Sequence, residues 1–345
     1  MYGRRPEQGN VIVIGAKHLG MALALLRYGL RELHPFEVQA LLTPSCNLRC
    51  KYCRCYELGT PEMTTEEWTA IIRGLAGLGT QRIKFQGGEP TIRKDFAELC
   101  RVSRAAGITT AVVTNGIRLA AEPALFDGLD EVVVSLDSVT PGIHDGFRGK
   151  GSHARATRAL DLAKERGVDA YVNMVVSTAS LGELPAMLDF CEARGLHLNA
   201  QPITFGREAF GSDEHGLMLS QEQHRAMHGQ LVRWKRARRP LMFSAAAYQH
   251  AVDWPDNRRL TRLSQGDSGC MAGRFYVHIE SNGDVWPCSM HGADFQAKNI
   301  LRDGLEEALR NARHHTCADC YYAYLCERRL LARFNLRAIF ELLAR

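Results

Sequence analysis

The alternation of short apolar runs with longer amphipathic segments restricts the fold of this chain more than any other feature. The short runs are rich in β-branched residues and end near turn or polar residues, which is typical of buried strands. The amphipathic stretches between them have the length of crossover helices, so the strands are predicted to run parallel in an α/β protein. The predicted strands are 38–43, 82–86, 109–114, 131–136, 170–176 and 197–203, and the predicted helices are 64–78, 95–106, 119–126, 153–166 and 184–194.

Polar side chains cluster where several of these strands end. In parallel sheets, and in barrels built from them, the loops after the carboxyl ends of the strands carry the chemistry. One ligand site is therefore expected at that rim. The clusters are 86–91, 114–116, 135–137 and 201–204.

The last third of the chain follows a different pattern. A loop at 206–216 and helices at 220–238 and 245–252 lead to a Gly- and Ser-rich break at 263–269. Beyond it, Asn282-Gly283 predicts a β-hairpin between 274–279 and 285–287. Helices are predicted at 304–313 and 328–343. We therefore expect a leader at 1–37, a main domain at 38–265 and a small domain of hairpin and helix at 266–345.

Charge and targeting signals exclude several classes of protein. Over 345 residues the formal net charge is only +5, without long basic runs, so no nucleic-acid partner is expected. No secretory signal opens the chain, which favours a cytoplasmic protein. The apolar stretch 11–33 is interrupted by charges and is predicted to be a helix. This helix either packs on the protein or lies at a lipid surface or partner.

Three cysteines share one tight loop directly after the first strand. Cys46, Cys50 and Cys53 have C-x3-C-x2-C spacing. Three thiolates so placed can ligate three irons of a [4Fe–4S] cluster and leave the fourth iron open for a substrate or cofactor.

This loop resembles the cluster loop of radical SAM enzymes, in which the open iron binds S-adenosylmethionine. Gly87-Gly88-Glu89-Pro90, at the end of the second strand, is similar to the family's GGE motif. The resemblance implies that the glycines allow close approach, while the Glu89 carboxylate holds the methionine ammonium group. Tyr52 matches an aromatic position that contacts adenine.

The resemblance also implies contacts further along the barrel. Ser135, Asp137 and Arg148 correspond to ribose and carboxylate contacts of the cofactor. Asn115, Asn173 and Gln201-Pro202 are expected on the substrate or cofactor face. Taken singly, these residues also have ordinary structural explanations: turn glycines, a helix-capping carboxylate, or side chains that fix a loop or strand.

The cysteines near the end of the chain form a second motif. Their spacing is similar to the SPASM and twitch extensions of the same superfamily, while four cysteines of a zinc ribbon are the structural alternative. A full SPASM block would have another Cys at Leu330 and a later one, and both are absent. The resemblance implies one auxiliary [4Fe–4S] cluster, with Cys326 a substitute ligand or a packed thiol. The expected ligands are Cys270, Cys288, Cys317 and Cys320.

The other cysteines and one substitution complete the expectations for the site. Cys100 and Cys191 are predicted to be packed in the core. Ser289 stands where sulfatase-maturing relatives carry an Asp that acts as base, which argues against that reaction. His291 and Asp294 are possible replacements for that base.

The family resemblance implies a partial (β/α)6 TIM-like barrel that cleaves S-adenosylmethionine reductively and abstracts hydrogen from a substrate C–H. We expect a net dehydrogenation of a small or lipid-linked substrate, with a flavodoxin- or ferredoxin-type reductant. Three alternatives stay open: a peptide-modifying maturase, an epimerase that uses Cys326 or Cys55 as hydrogen donor, and an iron–sulfur electron-transfer protein.

Overall fold

A curled sheet of parallel strands forms the centre of the molecule. The computed structural model describes residues 35–204, 216–263, 269–290 and 295–343. Strands β1 to β6 lie side by side in chain order, and each pairs parallel with the next. The expected α/β class and partial (β/α)6 barrel are confirmed. The strands are Glu37–Thr43 (β1), Arg82–Gly87 (β2), Thr109–Thr114 (β3), Glu131–Ser135 (β4), Asp169–Val176 (β5) and His197–Pro202 (β6).

Helices cover the outer face of this sheet. The first one begins at a capping box between Thr64 and Glu67 and ends at Gly79 in the left-handed conformation. Its buried face packs Trp68 and Leu75 on the strands. The barrel helices are Thr65–Leu78 (α1), Phe96–Ala105 (α2), Ile117–Ala121 (α3), Pro141–Arg148 (α4), Ser152–Glu165 (α5) and Leu184–Arg194 (α6).

Alternation along each strand separates the helix-facing core from the barrel interior. On β1, Val38, Ala40 and Leu42 belong to the core under the helices, whereas Gln39 lines the interior. On β2, Lys84 and Gln86 likewise line the interior. The inner wall is therefore mixed polar and apolar, and it can bind a ligand.

The chain after β6 returns to the opposite edge of the barrel. β8 (Tyr276–Ile279) pairs parallel with β1, and β9 (Asp284–Trp286) and β10 (Lys298–Asn299) continue the sheet, giving the order β10-β9-β8-β1-β2-β3-β4-β5-β6. The predicted hairpin is present, but it extends the barrel sheet instead of forming a sheet of its own. A separate pair joins β7 (Thr261–Leu263) to β11 (Cys317–Cys320). The remaining helices are Gln221–Arg236 (α7), Ala245–Val252 (α8), Ile300–Asp303 (α9), Leu305–Ala312 (α10), Ala323–Ala332 (α11) and Leu336–Leu343 (α12).

Two predicted helices differ from the observed ones. The segment predicted at 119–126 is a short α3 followed by a 3-10 turn at Pro123–Phe126, because Pro123 cannot continue the α-helix. The terminal helix predicted at 328–343 is two helices, and it breaks at Phe334, where φ is +54°.

Parts of the sequence predictions fall outside the described residues. These are the leader helix with its lipid contact, most of the 206–216 loop, His291 and Asp294. Within the residues that the structure describes, no helix has both the length and the apolarity needed to cross a bilayer.

Candidate functional site

A cavity of about 150 Å³ opens where the parallel strands end. Cys46, Cys50 and Cys53 lie on one side of it, on the loop after β1. The side chains expected to bind the cofactor face them from the ends of β2, β3 and β4. The lining on that side includes Gly87, Gly88, Glu89, Asn115, Ser135 and Arg148.

Backbone hydrogen bonds hold the cysteine loop in place. The Lys51 N–H donates to the Phe147 carbonyl at 3.0 Å, which ties the loop to the end of α4. The Cys53 N–H donates to the Cys50 carbonyl at 3.0 Å. Burial raises the pKa of Cys46 and Cys53, and raises that of Cys50 to about 12. Thiols in this environment become thiolates when a metal centre compensates the charge.

Gly87 and Gly88 let two stretches of backbone pass closely. A Cβ on Gly88 would lie 2.2 Å from the Ser45 carbonyl oxygen and 2.3 Å from that of Pro44. A Cβ on Gly87, where φ is +148°, would lie 2.2 Å from the Thr43 carbonyl oxygen. In this structure, the two glycines therefore allow the end of β2 to approach the start of the cysteine loop closely.

Glu89 is buried and accepts hydrogen bonds on both carboxylate oxygens. Oε1 accepts from the hydroxyls of Thr91 at 2.6 Å and Thr114 at 2.7 Å, and Oε2 accepts from the Asn115 N–H at 2.7 Å. Burial outweighs these bonds and raises the pKa of Glu89. An ammonium group in the adjoining cavity would stabilise the ionised carboxylate, so the residue suits the role that the motif implies.

The Asp137 carboxylate forms its hydrogen bonds with other side chains of the protein and does not line the cavity. Its carboxylate, which has no exposed surface, accepts from the Tyr52 hydroxyl at 2.5 Å and from Arg148 Nε and Nη2 at 2.6 and 3.0 Å. Burial opposes ionisation, but Arg148 outweighs it and lowers the pKa of Asp137. Both oxygens of Asp137 accept hydrogen bonds within the protein, and Asp137 is not among the residues that line this cavity. Its place in this structure is to position Tyr52 and Arg148, which do line the cavity.

Asn115 and Ser135 both line this first cavity. The Asn115 amide donates to Asn47 Oδ1 at 2.8 Å, and its Oδ1 accepts from the Ile117 N–H at 3.0 Å. The turn after β3 is thereby fixed to the cysteine loop.

A second cavity, of about 240 Å³, fills the barrel interior and shares Tyr52, Cys53 and Gly87 with the first. Asn173 and Gln201 lie here, in a chain of amides in which Gln201 donates to Asn199 at 2.9 Å and Asn199 donates to Asn173 at 2.7 Å. Asn173 therefore faces the barrel interior.

Several residues of this second cavity were not predicted from the sequence. Ser289, whose position was singled out, lines it, but so do residues that no motif marks. Period-two alternation along β1, β2 and β6 would have identified the strand residues. The tyrosines come from the distant small domain and carried no such signal. The unpredicted lining residues include Gln39, Lys84, Gln86, Asn199, Tyr322 and Tyr324.

The C-terminal cysteines are buried together beside β8. The Cys270 Sγ lies 3.6 Å from the Tyr276 hydroxyl. A hydrogen bond from the Cys317 thiol lowers the pKa of Cys270. The Cys326 thiol donates to the Cys320 carbonyl at 3.0 Å. Cys288, which directly follows β9, is buried as well.

The chemistry of these residues suits an iron–sulfur cluster. Burial raises the pKa of Tyr276, and charges on Cys270, Cys288 and Cys320 add to this effect. Soft thiolates favour iron–sulfur clusters or zinc. The Cys326 thiol lies beside Cys320, a place that suits either of the two roles expected for it, a substitute ligand or a packed thiol. Cys100 and Cys191 are fully buried core residues, as predicted.

Comparisons with known proteins agree with this geometry. A model of the radical SAM superfamily matches residues 41–191, and a model of the SPASM iron–sulfur cluster-binding domain matches 270–328. Mycofactocin maturase MftC of Mycobacterium ulcerans is 31% identical over 281 residues, covering 79% of this chain and 73% of the relative.

Other similar proteins carry different names. PqqA peptide cyclase of Rhizobium meliloti is 32% identical over 277 residues, covering 76% of this chain and 69% of the relative. AdoMet-dependent heme synthase of Oleidesulfovibrio alaskensis is 26% identical over 315 residues, covering 83% and 80%. Among solved structures, Streptococcus suis SuiB bound to S-adenosylmethionine superimposes with a TM-score of 0.63 at 18% identity, covering 86% and 71%.

Proposed function

The chain belongs to the radical SAM superfamily and carries a SPASM-type domain, and from this premise we propose that it is a maturase that oxidises a peptide. This replaces the small or lipid-linked substrate expected from the sequence. The relatives that support a peptide are mycofactocin maturase and PqqA peptide cyclase, the second of which acts on a peptide by name.

Family membership supplies the cofactors, a [4Fe–4S] cluster with S-adenosylmethionine and auxiliary iron–sulfur binding. Bound there, they supply the radical that takes a hydrogen atom from a substrate C–H. We assign the first cluster to Cys46, Cys50 and Cys53, and S-adenosylmethionine to the cavity beside Glu89 and Arg148. One auxiliary cluster is assigned to Cys270, Cys288, Cys317 and Cys320.

The observation that carries the proposal is the pair of joined cavities. The barrel cavity shares Tyr52, Cys53 and Gly87 with the cofactor cavity, so a side chain inserted into the barrel reaches the cofactor. Its far wall is formed by Tyr322 and Tyr324, which lie close to Cys320 in sequence. Cys320 is one of the residues that would hold the auxiliary cluster, and a cluster bound there would supply an electron acceptor on this side of the barrel cavity, which favours an oxidation.

An epimerase receives less support. Such an enzyme returns hydrogen from a thiol facing the substrate. Cys326 packs on Cys320 and Cys55 lines the cofactor cavity, so neither is among the residues that line the barrel cavity.

The test is a turnover assay with synthetic peptides, among them PqqA, the peptide that the relative PqqA peptide cyclase carries in its name. Reconstituted enzyme, S-adenosylmethionine and a flavodoxin reductant should yield 5′-deoxyadenosine together with a peptide about 2 Da lighter, or lighter by a group lost in the oxidation. An iron coproporphyrin, tested in parallel, covers the heme-synthase type of substrate. Conversion of the porphyrin with no change in the peptide would refute the proposal.

The matched control replaces Cys46, Cys50 and Cys53 by Ala. Two [4Fe–4S] clusters correspond to about eight irons per chain, and this variant should retain about four. It should release no 5′-deoxyadenosine. Deoxyadenosine formed by the variant would contradict the assignment of the first cluster.

A further inference from the structure

Lys84 is a buried lysine in the wall of the barrel cavity. It lies in the middle of β2 with only 5% of its surface exposed, and it faces inward between Arg82 and Gln86. A lysine is rarely this buried without partners that compensate its charge.

The Lys84 ammonium group lacks a hydrogen-bond acceptor among the described residues. The nearest carboxylate oxygen, Glu37 Oε1, is 3.7 Å away, which is beyond hydrogen-bond distance. The same ammonium lies 3.9 Å from the centre of the Tyr324 ring. The cation–π contact occupies one side of the ammonium group. The N–H donors that point in other directions remain unused.

The surrounding charges do not balance. Arg328 binds Glu37 Oε2 through Nε at 3.0 Å and Nη2 at 2.8 Å, and Arg82 binds Glu131 at 2.6 Å. Three cations thus face two carboxylates, and each arginine already has a close partner. The surplus positive charge lies on Lys84, at the cavity surface.

A neighbouring side chain also lacks a partner. Gln39 stands directly opposite Lys84 on β1, is 4% exposed, and its Oε1 has no hydrogen bond among the described residues. Both residues line the barrel cavity. Lys84 offers unused N–H donors and Gln39 an unused acceptor oxygen, which indicates a ligand that brings both an acceptor and a donor to this point.

We propose that Lys84 binds a carboxylate of the substrate, while Gln39 Oε1 accepts a hydrogen bond from a neighbouring N–H of the substrate, and that the two contacts fix how deeply the substrate enters the barrel. This rests on the proposed function in taking the barrel cavity as the substrate site. An anion here would complete the charge balance and form a charge-assisted hydrogen bond in a dry environment. The ligand is either a chain-terminal or a side-chain carboxylate.

The position of Lys84 limits which C–H reacts. Gln86 and Gly87 line both cavities and lie two and three residues further along β2, or about 7–10 Å from Lys84 at 3.3 Å per residue. The hydrogen that is abstracted is therefore expected about two or three residues from the bound carboxylate.

Binding of small carboxylates to the reconstituted, S-adenosylmethionine-loaded enzyme tests this without turnover. The probes are N-acetyl-L-alanine, its neutral amide, and the α-amide of N-acetyl-L-aspartate, and calorimetry at pH 6.5 gives their dissociation constants. Wild type should bind one of the two acids at least about tenfold more tightly than the amide. Which acid binds distinguishes a terminal from a side-chain carboxylate.

Three variants make the result specific to Lys84. The K84M variant, similar in size and uncharged, should lose the preference for the acid, and K84R should keep it. K164M, at an exposed site on α5, should bind like wild type. Iron content and the thermal midpoint verify that each variant folds.

Two outcomes would overturn the assignment: equal affinity of wild type for acids and amide, or an unchanged preference in K84M. Either would leave Lys84 as a structural partner of Glu37. Because the probes are not turned over, a failed peptide assay leaves this test valid. Conversely, a peptide that is processed while the probes show no preference refutes only the role of Lys84.

Discussion

Replacing Gly88 by Ala should remove the first cluster while leaving the rest of the fold in place. The new Cβ would lie 2.2 and 2.3 Å from two backbone oxygens of the chain that leads into the cysteine loop. Relief to an ordinary contact above 3.2 Å requires the two backbones to separate by about 1 Å. No rotamer change can provide this, because the opposing atoms belong to the main chain.

The magnitude follows from the hydrogen bonds at this crossing. The Gly88 N–H donates to the Thr43 carbonyl at 2.8 Å, and the Glu89 N–H donates to the Ser45 carbonyl at 2.8 Å. A separation of about 1 Å takes both beyond the range of a hydrogen bond, at a net cost of about 1–3 kcal/mol for the pair. The cysteine loop would then no longer be held against the end of β2.

Iron and sulfide content after anaerobic reconstitution is the assay. The G88A variant should fall from about eight irons to about four, since the auxiliary cluster lies elsewhere, and should not cleave S-adenosylmethionine. The matched control is Gly77→Ala in α1, where a Cβ meets nothing within 4 Å, so full iron and a stability gain of about 0.5–1 kcal/mol are expected. Wild-type iron content and cleavage in G88A would refute this account of the motif.

Further predictions concern three buried charges. Asp137→Asn leaves the buried Arg148 guanidinium without its counter-ion. Urea titration of the apo-protein should therefore show a free energy of unfolding that is lower by about 3 kcal/mol. A change below about 0.5 kcal/mol would contradict the ion pair. Because Arg148 lowers the pKa of Asp137, this stabilisation should be present above the ordinary pKa of Asp and be lost as the pH falls through the lowered value. Glu89→Gln should weaken S-adenosylmethionine binding with iron content unchanged, and equal affinity in equilibrium dialysis would exclude an ammonium contact. Burial lowers the pKa of Lys84 to about 7, so acid binding by wild type should weaken as the pH rises through and above 7, while K84R retains it.

The barrel strands and the cysteine loop were predictable because their signals are local. Strand β3 was predicted with the bounds that the structure gives it, and Cys46, Cys50 and Cys53 lie on the loop that the spacing indicated. Each of these signals spans fewer than about ten residues. They are the period-two alternation of apolar side chains along a strand, the turn residues that end it, and the short spacing between the cysteines.

Contacts between distant segments were not predictable in this way. Asp137 and Tyr52 looked like separate ligand contacts, yet the structure pairs them with each other across 85 positions. Tyr324 enters the barrel wall only because the small domain closes against it. No local pattern encodes either event, since both depend on packing of the completed fold.

The parallel pairing of β8 with β1 has a consequence for biosynthesis. Val38 and Val277 are paired in register although roughly 240 residues separate them in the sequence. The pairing of β1 with β8 therefore closes a very long loop, and non-local contacts of this kind form slowly during folding. On the ribosome the first strand emerges early, with its cysteine loop attached, but its edge stays unpaired until the C-terminal segment has been made. Arg328 reaches back to Glu37 at the start of that same strand and joins it last. The wall of the barrel cavity is therefore complete only after the segment up to Arg328 has been made, and a chain truncated before β8 is expected to lack it.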